Sequence, residues 1–296
     1  MGRRDRFVTV DGFELHYSEW GDRSDPPVLC VHGLSRNGRD FDPLARELED
    51  DYWVLCPDMP GRGWSEWAEE PAERYTDAAM VEMLAGFCAE LGLQQFRYVG
   101  TSMGGGLGMA LAGLAMPEAV THLVVNDVSP DPEGDATPEA LGRIMEYVPT
   151  PPTVETVTEL EDYYRDLYEG RFSEMTDDEW RRLALTSARR TDDGGIAPAY
   201  DPDILVDDGE TADGDGDGES DDAGAADAPD PWDVWTAIDA EIMILRGQES
   251  EILPEAPFER MCETQPDAET LVVDCGHAPS LNVPAQIGPI REFLSD

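Results

Sequence analysis

Gly100-Thr101-Ser102-Met103-Gly104 restricts the backbone more than any other stretch of this chain. An apolar run, Phe96 to Val99, precedes it, and a stretch of small residues at helical spacing, Met103 to Ala115, follows it. The chain must therefore pass from strand to helix within one tight turn. Glycines at both ends of that turn let the helix pack against the strand, and the turn lifts the Ser102 hydroxyl away from the backbone. A hydroxyl presented in this way is a candidate nucleophile.

The surrounding pattern predicts an α/β fold with a largely parallel sheet. Phe7 to Val10 and Phe13 to Tyr17 read as a hairpin turning at Asp11-Gly12. Short buried strands are expected at Val28 to Val31, Tyr52 to Leu55, Phe96 to Val99, Leu123 to Val125, Ile242 to Leu245 and Leu271 to Val273. Asp77 to Leu91 reads as a helix ending at Gly92, and Pro284 to Leu294 as a closing helix. Residues 129–235 break this rhythm with prolines and helical fragments, so the expected organisation is a core of 1–128 and 236–296 interrupted by a mainly helical cap, 129–235.

A serine nucleophile needs a base, and the chain has four histidines. His16 falls inside the early hairpin and His122 inside a strand, both structural positions. His32 ends a strand in His32-Gly33-Leu34, where the useful group is the backbone N–H of Leu34. His277 follows the last strand and is the candidate base. The third member should be a carboxylate lying between Ser102 and His277 at a strand end. Glu251, after Ile242 to Leu245, is favoured; Asp127, after Leu123 to Asn126, is the second choice. Leu34 and Met103 supply the two backbone donors that a developing oxyanion requires.

Taken together, His32-Gly33, the loop from Pro57-Asp58 to Trp64-Ser65, the Ser102 turn, Arg246-Gly247 and Gly276-His277-Ala278 resemble the α/β-hydrolase superfamily, in its serine branch. The resemblance implies an eight-stranded, mostly parallel sheet flanked by helices, with a cap inserted after the sixth strand. It carries over Ser102 as nucleophile, His277 as base, Glu251 as acid, and Leu34 and Met103 as oxyanion donors. It implies no cofactor and no metal. The expected activity is hydrolysis of a small, fairly apolar ester, thioester or lactone through an acyl-enzyme on Ser102. Carbon-carbon bond hydrolysis of a diketone-type aromatic degradation product is the alternative, and a low-turnover ligand-binding homologue is another. Substrate choice is expected from the cap, with Trp180 among its aromatic residues, and from Arg36, which either meets an anionic substrate group or pairs with a nearby carboxylate.

Charge narrows the partners. Against 65 Asp+Glu stand 20 basic residues, every one an Arg, for a net charge of −45. Nucleic acid and anionic membranes are excluded as partners because both need a cationic footprint. Self-repulsion on this scale calls for salt screening, and the composition resembles that of halophilic archaeal proteins. Five dispersed cysteines with no ligand spacing, and no apolar leader after the first residues, predict a soluble, cytoplasmic protein acting on a small molecule. Within the acidic run 207–230, expected to be disordered, Asp213, Asp215, Asp217 and Gly218 open like a calcium loop, but Gly224 stands where the closing carboxylate belongs.

Overall fold

A computed structural model describes residues 2–173, 175–205 and 229–295. Its main sheet contains β1 (Arg4–Val10), β2 (Phe13–Trp20), β3 (Pro27–Val31), β4 (Trp53–Pro57), β5 (Phe96–Thr101), β6 (Val120–Asn126), β9 (Glu241–Gly247) and β10 (Glu269–Val273). The strand order is β1-β2-β4-β3-β5-β6-β9-β10. The β1 and β2 hairpin turns at Asp11 and Gly12, both at positive φ (48° and 78°), the geometry that a two-residue hairpin turn demands. β2 runs antiparallel to β4, and every later neighbouring pair is parallel. This is the eight-stranded, mostly parallel sheet that the resemblance implies.

Side chains alternate between two cores. Leu29, Val31, Tyr98 and Val125 face one side and pack with the helix Asp77–Leu91. Val28, Cys30, Val99 and Val124 face the other and pack with the helices Asp42–Leu48 and Pro284–Phe293. Cover on both faces explains why the central strands read as unbroken apolar runs instead of alternating with polar residues.

Between β6 and β9 the described residues add no strand to the main sheet. They form the helices Pro138–Tyr147, Val157–Tyr168 and Asp177–Thr186 and a separate ribbon of β7 (Ala188–Arg190) and β8 (Ile196–Pro198). The last two of these helices begin with capping boxes, Thr156 with Glu159 and Thr176 with Glu179. They enclose their own apolar cluster around Leu160, Tyr164, Trp180 and Leu183. The ribbon escaped the sequence reading because three residues are too few to show a period of two. Most of the run 207–230, including the calcium-like residues, lies outside the described residues. No helix among the described residues is long and apolar enough to cross a membrane.

Candidate active site

Parallel neighbours bring their carboxyl ends to one rim, where loops from several strands meet. β3 pairs with β5 through Val31 and Gly100, and β5 with β6 through Thr101 and Asn126. Leu34, Ser102 and Asp127, each just beyond one of these strands, therefore converge.

Ser102 occupies a left-handed conformation, φ 53° and ψ −120°, at the start of the helix Met103–Ala110. The adjoining glycines make that turn possible. A Cβ on Gly104 would lie 2.0 Å from the Val31 carbonyl oxygen, and one on Gly100 would lie 2.2 Å from the Gly104 carbonyl oxygen. Any larger residue would push the helix off the sheet.

His277 Nε2 lies 2.9 Å from Ser102 Oγ, and His277 Nδ1 lies 2.7 Å from Asp127 Oδ2. Asp127 is wholly buried. Its Oδ1 accepts the Gly247 N–H at 2.7 Å and its Oδ2 accepts the Ser250 hydroxyl at 2.7 Å. Those donors, with the imidazole, keep a buried carboxylate satisfied. The Asp127 backbone turns at φ 64°, and its N–H donates to the Leu245 carbonyl at 2.9 Å.

Glu251, the favoured acid from sequence, is not the carboxylate on the imidazole. Its side chain is 45% exposed and ion-paired with Arg143 of the helix Pro138–Tyr147. The loop after β9 donates to Asp127 through Gly247 and Ser250 and places no carboxylate on the imidazole. The distinction comes from sheet register: Asn126 is in register with Thr101, so the residue after Asn126 stands beside Ser102, whereas Glu251 lies four residues past its strand.

The backbone amides of Leu34 and Met103 have no acceptor among the described residues. Met103 opens its helix, where free N–H groups and the helix dipole favour negative charge. A fully buried residue that sequence reasoning missed, Arg62, ties this corner together. It donates to the Leu34 carbonyl at 2.9 Å and the Pro60 carbonyl at 2.6 Å, and its Nη2 lies 3.8 Å from Met103 Sδ. Burial pushes its guanidinium down to about 10. Asn126 fixes the histidine loop by donating to the Pro279 carbonyl at 2.8 Å.

The remaining expectations divide. His16 is buried against Asp58 at 2.8 Å and His122 packs edge-on against Phe293, both structural placements. Arg36 lines the cavity above Ser102, but Asp40 engages it twice (2.9 and 2.6 Å) and it lies over the Tyr164 and Tyr168 rings. Burial alone would raise the Asp40 carboxyl; the Arg36 charge more than offsets this and holds it below the usual range. The expected aromatic contact Trp180 is absent from the cavity wall. Its helix turns it inward, into the cluster with Leu160 and Tyr164 and under Arg165, while Arg182 and Leu183 of the same helix reach the cavity.

The cavity measures about 240 Å3 and has apolar walls from Leu34, Ile144, Phe172, Leu183 and Ile252. His32 lies at its floor, fully buried, accepting the Met59 N–H at Nε2 (2.9 Å) with Nδ1 2.7 Å from the Gly33 carbonyl oxygen. Burial pushes this imidazole from 6.5 down to about 4. A folded-state value below the unfolded one means that the neutral ring's contribution is complete above pH 6.5 and lost as pH falls toward 4. Between pH 6.5 and about 5, before most carboxylates titrate, the loss should be about 2 kcal/mol. Melting temperature measured across that window should fall in the wild type and fall less in His32→Gln; equal slopes would contradict the assignment.

Known proteins share this arrangement of fold and sequence. A family model described as alpha/beta hydrolase fold matches residues 26–153. The chain is 35% identical over 286 residues to 3-hydroxybutyrate-oligomer hydrolase from Cupriavidus necator, covering 95% of this chain and 92% of that protein. Among solved structures, an alpha/beta hydrolase from Novosphingobium aromaticivorans superposes with a TM-score of 0.83 at 34% identity, covering 100% of this chain and 99% of that one. A thioesterase domain from the curacin biosynthetic pathway, 18% identical, matches in fold with a TM-score of 0.76 over 100% of both chains.

Proposed function

The chain belongs to the α/β-hydrolase superfamily, and on that premise we propose that it is a serine ester hydrolase acting on short 3-hydroxyacyl esters of the 3-hydroxybutyrate-oligomer type. The observation that carries the chemistry is the continuous chain from Ser102 Oγ through His277 to Asp127 at 2.9 and 2.7 Å, beside two amides with no acceptor among the described residues. Ser102 Oγ attacks the ester carbonyl as its proton passes to His277 Nε2. The Leu34 and Met103 amides hold the oxyanion, and the carbon-oxygen bond breaks as His277 returns the proton to the departing alkoxide. Water, deprotonated by His277, then releases the acyl group from Ser102. Asp127 holds the imidazole with Nδ1–H toward itself throughout.

The substrate class is supported by the near full-length likeness to the Cupriavidus necator enzyme and by the small cavity, whose apolar walls carry charged side chains as well. Dimer and trimer of 3-hydroxybutyrate should be cleaved with free 3-hydroxy acid as product, whereas p-nitrophenyl palmitate should be a poor substrate beside the butyrate ester. Turnover in molar KCl, read by acid release and by p-nitrophenolate absorbance, tests this. A folded protein that cleaves none of these esters would count against the proposal.

A further inference from the structure

Among the described residues four arginines line the cavity above Ser102, in a chain where carboxylates outnumber arginines by 65 to 20. Two of the four are neutralised in place, Arg36 by Asp40 and Arg143 by Glu251. Arg171 folds back onto the Leu167 carbonyl in the last turn of the helix Val157–Tyr168, an ordinary helix-end role. Arg182 lies inside the helix Asp177–Thr186 and has no such helix-end role. It donates to the Arg39 carbonyl at 2.8 Å, and among the described residues it has neither a carboxylate within ion-pair distance nor an aromatic ring beneath it. Burial pushes its guanidinium below the usual arginine range, although Asp40 and Asp42 pull the other way. Among the described residues the only other acid on the cavity wall, Glu249, is exposed at the rim. A half-buried cation with no carboxylate in direct contact among the described residues, in so acidic a protein, marks a place where an anion can complete the balance.

The position suits a substrate group. Arg182 lines the same cavity as the Arg36 and Asp40 pair, and Arg36 borders the nucleophile: Arg36 Cγ and Ser102 Cβ lie 3.8 and 3.6 Å from the point where a Gly33 Cβ would stand. Resting on the ester-hydrolase reading above, we propose that Arg182 binds the free carboxylate of a linear hydroxyacyl ester, so that the ester bond presented to Ser102 is chosen by its distance from the carboxyl end. The carboxylate-bearing unit then leaves as the alcohol, taking its proton from His277, and the hydroxyl-bearing remainder stays as the acyl group on Ser102 until water releases it. Arg171 adds to the positive field without holding the anion. The enzyme is thereby directed to acids and away from neutral esters of the same size.

The test compares kcat/KM for the 3-hydroxybutyrate dimer acid with that for its methyl ester, with p-nitrophenyl butyrate as reference. The wild type should prefer the acid by about tenfold or more, the effect of a charge-assisted hydrogen bond. Arg182→Gln should bring the ratio to within about twofold of one, and Arg182→Lys should restore part of it. Because the ratio is taken within one preparation, a partly unfolded variant leaves it readable. A wild-type ratio near one, with p-nitrophenyl butyrate still cleaved, would overturn the carboxylate anchor and leave the esterase reading standing. A high ratio that survives in Arg182→Gln would overturn the assignment to Arg182. A folded wild type that cleaves no ester would overturn the underlying reading and the anchor with it.

Discussion

Asp127→Asn should lower kcat for ester hydrolysis by about 10^4-fold, while Glu251→Gln should change it less than about threefold. The contrast follows from what each carboxylate touches. Asp127 accepts from His277 Nδ1, Gly247 N and Ser250 Oγ, so an amide there must offer an N–H to at least one donor already pointing at it. The imidazole would rotate or adopt the tautomer that puts its proton toward Ser102, and the base would be lost. Glu251 is an exposed partner of Arg143, and exposed pairs contribute about 1 kcal/mol or less. Steady-state kinetics on both variants decides the matter: a large loss in Glu251→Gln with a small one in Asp127→Asn would return the acid to the loop after β9.

Ser102→Ala should remove about 10^6-fold of kcat, leaving only the rate that cavity and amides sustain without a nucleophile. The substitution keeps the backbone free of new atoms, so the fold should persist; alanine at φ 53° bears some strain, which serine bears already. Combining it with Asp127→Asn should cost little more than Ser102→Ala alone, because the three side chains act as one unit. Additive losses in the double variant would mean that they do not.

Much of this is legible in the sequence alone. The Asp77–Leu91 helix and its Gly92 cap emerge with those bounds, Gly92 at φ 73°. The strand before Ser102 and the helix after it follow from local pattern because glycine sterics act over a few residues. The acid was harder to read. Two carboxylates each follow a strand between Ser102 and His277, and position along the chain cannot rank them; sheet order favours Asp127 in the proposed triad, by placing β6 directly beside β5. Arg62 and Ser250 were invisible for a similar reason, since each acts through partners distant in sequence. Trp180 was misplaced because an aromatic residue on an amphipathic helix looks the same whether it faces a cavity or a second helix. Arg182 stood out only once its neighbours were known, since a cation matters here by lacking the partner that most others have.

The nucleophile itself is open to direct test. Treatment of the folded protein with a fluorophosphonate, followed by intact-mass and peptide analysis, should give a single adduct on the peptide holding Ser102, absent in Ser102→Ala and formed far more slowly in Asp127→Asn. A folded wild-type protein that stays unmodified, or an adduct that forms equally in Ser102→Ala, would contradict a Ser102 acyl-enzyme mechanism.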